Sequence, residues 1–207
     1  MQNMVLAGRL LFPIIDGVPE GGRLTALATL ADETLMSRFR DGDTEAFEAL
    51  YRRHRAGLHR FARRMVPDDA DEIFQEVWLA IVKGKRRYVP SARFVTYLFT
   101  IAHRRAAEKL RTRGRAQELS DGADQGDTVM DDRLDPLGSA VNTELGRALS
   151  EAIDLLSVVQ REAFLMQAEG GLSLEEIAQA TGTSRETVKS RLRYAYRRLR
   201  TALEDWK

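Results

Sequence analysis

Five cations recur in the last quarter of this chain, at Arg185, Lys189, Arg193, Arg197 and Arg200, with spacings of three and four that put them on one face of a helix. The chemistry open to such a face is narrow. Arg and Lys donate to the O6 and N7 acceptors of a guanine edge, and both neutralise phosphate charge. The opposite positions, Val188, Leu192, Ala195 and Leu199, form an apolar stripe at helical spacing. A helix gripped by a core on one side and lined with Arg, Lys and Ser on the other suits a DNA major groove. The plainer alternative is a solvated basic face on an ordinary helical hairpin.

Two further polar groupings invite chemistry. Asp71, Glu72, Gln75 and Glu76 make a compact acidic face that can dock on a basic partner helix. They equally suit a helix N-terminus, where the dipole favours acids. Between Lys83 and Arg105, Lys85, Arg86, Arg87, Arg93, Arg104 and Arg105 alternate with Tyr88, Phe94, Tyr97 and Phe99. Cations track phosphates and aromatic rings stack on unpaired bases. Phe94 and Phe99 also fit a core, which leaves Tyr88 and Tyr97 as the better stacking candidates, since Tyr tolerates a wet edge. No nucleophile–base constellation, glycine-rich phosphate loop or metal-ligand set is legible, so no catalytic residue, metal or cofactor is expected.

These residues need elements to hold them. Ser173 caps a helix and Glu176 completes its capping box. Leu174, Ile177 and Ala178 share one face of that helix. Gly182 ends it and Ser184 caps the next, which is the outline of a helix-turn-helix. Upstream, a short helix is expected over 33–40, ending at Asp41-Gly42. A long helix capped by Thr44 follows, with Phe47, Leu50, Tyr51, Leu58, Phe61 and Met65 on its stripe. Pro67-Asp68-Asp69 opens a third helix bearing Ile73, Phe74, Val77, Trp78, Ile81 and Val82. A fourth starts near Ser91 and turns Phe94, Leu98, Ile101 and Ala102 inward. No strand-like alternation appears, so the expected class is all-α: two small helical domains joined by a flexible acidic linker. The expected boundaries are a poorly ordered extension over 1–31, a helical domain over 32–112, the linker over 113–140 and the helix-turn-helix domain over 141–207.

Charge supports the division. Over 207 residues, 32 Lys and Arg against 31 Asp and Glu leave a net charge of +1, which conceals two basic blocks and an acidic connector. In that connector Glu118, Asp121, Asp124, Asp127, Asp131, Asp132 and Asp135 face only Arg133 after Arg115. Two positive footprints on a flexible strap suit bipartite binding to a polyanion. The absence of cysteine excludes disulfides and thiolate metal sites and fits a reducing, cytoplasmic compartment. His54, His59 and His103 lack the spacing of a shared metal site and read as surface or helix-packing residues. The apolar stretch 4–15 is interrupted by Arg9 and Pro13 and is too short to span a bilayer as a helix, so no membrane insertion is expected.

Over about residues 33–203 the chain resembles a two-domain sigma factor of bacterial RNA polymerase, of the extracytoplasmic-function class. The matching residues run from Gly42 to Tyr51, from Asp71 to Trp78 and from Tyr97 to Arg105. They continue from Gln160 to Phe164, from Glu175 to Ala178 and from Thr187 to Leu192. The resemblance implies core RNA polymerase as a partner. Asp71, Glu72, Gln75 and Glu76 would dock on the largest subunit's coiled-coil, and the second domain would touch the flap. It implies that Arg87, Tyr88, Arg93, Phe94, Tyr97, His103, Arg104 and Arg105 recognise and open a −10 element. Arg185, Glu186, Thr187, Lys189, Ser190, Arg193 and Arg197 would face a −35 element, with Arg197 and Arg191 on phosphates or in local pairs. An anti-sigma protein is implied as a regulator. The chain departs from the family at Tyr97, Arg104, Glu108, Leu156-Ser157 and Glu186. A stand-alone helix-turn-helix regulator with a sensor domain is the competing reading, and co-purification with core polymerase separates the two.

Overall fold

The computed structural model describes residues 27–90, 92–119 and 144–204. Among these residues there are eight α-helices and no strand: α1 (Asp32–Arg40), α2 (Thr44–Met65), α3 (Ala70–Gly84), α4 (Phe94–Leu119), α5 (Glu144–Asp154), α6 (Val158–Gly170), α7 (Leu174–Thr181) and α8 (Arg185–Ala202). Short 3-10 turns lie at Pro67–Asp69 and Lys85–Arg87. The all-α expectation holds. Among the described residues two compact units separate, one formed by those up to Arg55 with Val82–Phe94, the other by Ala56–Ile81 with those from Val95 onward.

In the first unit, α1 buries Leu35, Met36 and Phe39, and the Phe39 ring lies 4.7 Å from Phe47 of α2. Gly42 takes a φ of 110°, open to glycine and hard for other residues, so the chain can turn sharply between α1 and α2. The cap of α2 differs from the expected Thr44. Thr44 is already helical, and Asp43 Oδ1 accepts from the Ala46 N–H at 3.2 Å. Asp43 is as good a cap as Thr and one residue earlier. Packing also begins ahead of residue 32. Leu27 is buried, and Arg53 donates to the carbonyls of Ala28 (2.8 Å) and Leu30 (3.0 Å) and to Asp32. The His54 ring pairs with Asp32 Oδ2 at 2.7 Å. Burial pushes the Asp32 carboxyl up, but His54 and Arg53 outweigh it and hold the group below its ordinary range. The first N–H of α4, that of Phe94, donates to Glu33 Oε1 at 2.7 Å, so a side chain of α1 caps α4.

In the second unit, Leu58, Phe61, Ala62 and Met65 of α2 are buried, as are Ile73, Val77, Trp78 and Ile81 of α3 and Leu98, Phe99, Ala102 and Ala106 of α4. Phe61 and Phe99 meet edge-on at 5.4 Å. The C-terminal helices share a cluster of Ala152, Ile153, Leu156, Ala195 and Leu199, with Phe164 against it. Within the same unit α6 lies on α2 and α4. Arg60 Nε donates to Glu169 Oε2 at 2.7 Å, His103 Nδ1 is 2.6 Å from the buried Glu162, and Arg161 donates to the Arg64 carbonyl at 3.1 Å. A Cβ added at Gly57 would stand 2.7 Å from the Glu169 carbonyl oxygen, so α2 and the end of α6 are close enough to require a glycine. Helix α4 runs through Leu119, past the expected linker start at residue 113, and Arg113 binds Asp68 (2.9 Å) and Asp69 (2.7 Å). The rest of the expected linker, 120–140, and the extension over 1–26 lie outside the described residues.

Candidate nucleic-acid interface

The helix-turn-helix is built by local chemistry. Ser173 and Glu176 form the reciprocal capping box: Ser173 Oγ accepts from the Glu176 N–H at 3.2 Å, and Glu176 Oε2 accepts from the Ser173 N–H at 2.8 Å. The other Glu176 oxygen accepts from the buried Thr96 hydroxyl at 2.9 Å, which ties the cap to α4. Ile177 and Ala180 are the buried residues of α7, with Leu174 and Ala178 half-buried. Gly182, at φ 65°, is a left-handed C-cap whose N–H bonds the Ala178 carbonyl. Ser184 Oγ then accepts from the Thr187 N–H at 3.1 Å and starts α8.

Helix α8 is anchored by Val188, Leu192, Ala195 and Leu199, all buried. Arg185, Glu186, Thr187, Lys189, Arg193, Arg197 and Arg200 are exposed and Ser190 is half-buried, so the predicted upstream-reading residues share the solvent side of one helix. Their cations are not equivalent. Arg185 is bound through Nε to Glu175 of α7 and lies 3.5 Å from Glu186. That bond holds the Glu175 carboxyl below its ordinary range and raises Arg185. Part of the Arg185 fork is thus used within the motif. Arg193 and Arg197 instead flank the ring of Tyr194, at 5.2 and 4.8 Å. Tyr194 escaped sequence reasoning, although its spacing of three from Arg197 is the signal that finds it.

The second predicted set is divided. Arg87, Arg93 and Arg104 are exposed, and Tyr97 is half-buried. Tyr88, expected as a stacking residue, is only 6% exposed, with its ring 6.5 Å from Phe94, which is itself fully buried. The apolar bulk of the tyrosine ring outweighs its tolerance for a wet edge, and both rings serve the core. Phe99 is core too. His103 is committed to Glu162, a partner 59 positions away that no local pattern reveals.

The acidic face and the basic helix, read separately in sequence, meet in the fold. Arg105 lies 3.5 Å from Glu76, and Lys109 Nζ lies 2.6 Å from Glu72. His59 Nε2 is 3.1 Å from Asp71, and Gln75 is half-buried beside them. The Glu72 bond raises the Lys109 ammonium above its ordinary range. All three histidines therefore pair with carboxylates. Among the described residues no cluster of three or more ligating side chains suits a metal ion.

The model "Sigma-70 region 2" matches residues 50–116, and "Sigma-70, region 4" matches 146–199, the part that holds the helix-turn-helix. The RNA polymerase sigma factor CarQ of Myxococcus xanthus is 33% identical over 172 residues, covering 82% of this chain and 96% of that protein. The ECF RNA polymerase sigma factor SigK of Mycolicibacterium vanbaalenii is 30% identical over 182 residues, 86% of this chain and 91% of the relative. The chain belongs to the sigma factors of RNA polymerase, in the extracytoplasmic-function class. A sigma factor directs promoter-specific initiation of transcription, and that is the function of this one. Two solved structures share the fold. RpoE of Bartonella quintana, determined with the anti-sigma factor NepR, matches with a TM-score of 0.65 at 24% identity over 76% of this chain and 96% of that one. CnrH, determined with the cytosolic domain of CnrY, gives 0.59 at 22% identity over 85% and 99%. No helix among the described residues of this sigma factor is long and apolar enough to cross a membrane.

Proposed function

We propose that this sigma factor divides promoter recognition between its two family regions. The helix-turn-helix domain, over 141–207, reads the −35 element through α8. Lys189, Ser190 and Arg193 reach base edges, with Arg185, Glu186 and Thr187 at the entering end and Arg197 on a phosphate. The domain over 32–112 engages and opens the −10 element. Its exposed cations Arg87, Arg93 and Arg104 track the backbone, and Tyr97 serves as the stacking ring. Asp71, Glu72, Gln75 and Glu76 dock on the coiled-coil of the largest polymerase subunit. A docking helix that is itself basic takes over the carboxylates now held by Lys109 and Arg105. The chain that follows α4, up to residue 140, links the two domains.

The observation that carries this reading is the capped, core-anchored α8 with its cations on the solvent side, inside the segment matched by the region 4 model. The polymerase does the chemistry and this chain supplies selection, so its role is non-enzymatic and its place is the cytoplasm. Core polymerase, by its coiled-coil and flap, and promoter DNA are its partners. An anti-sigma protein is its regulator, a reading supported by the anti-sigma factor NepR in the complex of one structural relative.

Lys189→Ala and Arg193→Ala test it in gel-shift and pull-down assays. Each should weaken binding to a −35 duplex by roughly ten- to a hundredfold, the loss of one good base contact at about 1–3 kcal/mol, while core-polymerase binding is kept. Equal loss of both activities would make α8 a structural helix and not a reading one. Failure to co-purify with core polymerase would favour a stand-alone regulator.

A further inference from the structure

We infer that Tyr194 is a positioning residue of the DNA-binding face, holding Arg193 on the groove side and Arg197 on the backbone side as a preformed pair of cations. The inference rests on the reading of α8 as the DNA-facing helix and adds a residue and a device to it. Two tyrosines stand two positions apart on α8 and have different duties. Tyr196 donates its hydroxyl to Gln167 Oε1 at 2.8 Å and meets the Phe164 ring edge-on at 5.8 Å, so it belongs to the scaffold that joins α8 to α6. Tyr194 is 37% exposed and presents its ring to two guanidinium groups, Arg193 at 5.2 Å and Arg197 at 4.8 Å.

The helical register places this trio where DNA would lie. Glu186, Ser190, Arg193 and Arg197 succeed one another at spacings of three and four down the side opposite Val188, Leu192, Ala195 and Leu199, and Tyr194 borders that line. A free arginine loses much rotamer freedom when it is fixed on a phosphate. A ring that already attracts the guanidinium reduces that loss, and because the attraction uses no hydrogen-bond donor it leaves the N–H groups for the phosphate. One ring serving two arginines keeps their positive charges close together, an arrangement that an anionic backbone between them relieves. The Arg197 contact with a phosphate carries no sequence information, so that share of the effect falls on affinity for any duplex.

The test uses the purified full-length chain and a fluorescein-labelled duplex of mixed sequence, followed by anisotropy across a salt series. Tyr194→Leu keeps bulk and removes the π face. It should weaken binding by about five- to twentyfold at every salt concentration, with the salt slope preserved because no cation is removed. Tyr194→Phe should restore the parent affinity. Arg197→Ala should lower the slope by about one unit, and should cost much less in the Tyr194→Leu background than in the parent. Thermal melting should be unchanged in each variant. Tyr194→Gln, equally without a π face, gives the same reading if the leucine variant is poorly soluble. Binding by Tyr194→Leu within twofold of the parent overturns the inference. So does a Tyr194→Phe variant as weak as Tyr194→Leu, which would assign the effect to the hydroxyl. If Lys189→Ala and Arg193→Ala also leave duplex binding untouched, the DNA-facing reading of α8 falls with it. If those two weaken binding and Tyr194→Leu does not, only the role of Tyr194 is refuted.

Discussion

Two helical glycines should respond to the same substitution with opposite signs. Gly57 sits within α2 and Gly114 within α4. In an unobstructed helix, Gly→Ala stabilises by about 1 kcal/mol, because glycine loses more backbone freedom on folding. Gly114 meets that condition, since an added Cβ has nothing within 4 Å. Gly57 does not. Its added Cβ would lie 2.7 Å from the Glu169 carbonyl oxygen, roughly 0.7 Å inside ordinary contact at 3.4 Å, and a backbone carbonyl cannot rotate away as a side-chain tip can. The end of α6 must withdraw, which strains the Arg60–Glu169 ion pair at 2.6 Å beside it. Overpacking costs about 1–3 kcal/mol, and a clash with backbone that cannot rotate away falls in the upper part, about 2–3 kcal/mol, so after the helix-propensity gain Gly57→Ala should be destabilising by about 1–2 kcal/mol. For a chain of this size that lowers the melting temperature by about 2–8 °C, whereas Gly114→Ala should raise it by about 2–4 °C. Far-UV circular dichroism during heating, with urea unfolding as a second measure, reads both. A Gly57→Ala protein that melts as high as Gly114→Ala would show that α6 does not lie on α2 in solution.

Two other substitutions probe local physics. Asp32→Asn should cost about 1 kcal/mol at neutral pH, the order of a charge-assisted hydrogen bond partly screened by solvent. Because the folded carboxyl lies below its ordinary 3.8, this contribution is present above that value and is lost as pH falls through the depressed folded value. The stability gap between parent and variant, read by urea unfolding, should therefore close below about pH 3.8, and a gap that persists there would argue against the His54–Asp32–Arg53 pairing. Gly182→Ala should destabilise by about 1 kcal/mol through backbone strain alone, since φ is 65° and no atom blocks the Cβ. A neutral result on melting would mean that the turn relaxes out of the left-handed region.

How far the sequence carries depends on the range of the interaction. The caps at Ser173 and Ser184, the glycine stop at Gly182 and the stripe from Val188 to Leu199 are set within a few residues of themselves, and all are legible before folding. The cap of α2 was misplaced by one residue because Asp43 and Thr44 are both good caps and only geometry chooses. Tyr88 was misjudged because a tyrosine suits both a wet edge and a core, and burial beside Phe94 decides. Contacts such as His103 with Glu162, Thr96 with Glu176 and Glu76 with Arg105 join residues far apart in sequence or on different helices. Their individual letters carry no trace of the partner. The acidic face at Glu72 and Glu76 was legible as a face, but its present use as an anchor for Lys109 and Arg105 was not.

This chain confers promoter choice on RNA polymerase. The most direct measurement of that role is transcription by purified core polymerase on a library of template fragments, with and without the full-length protein, with RNA 5′ ends mapped by sequencing. The protein should create a discrete set of start sites sharing an upstream and a downstream element. Lys189→Ala should abolish or redistribute those sites while the core complex still forms. Identical transcripts with and without the protein, at concentrations where the complex forms, would contradict that role.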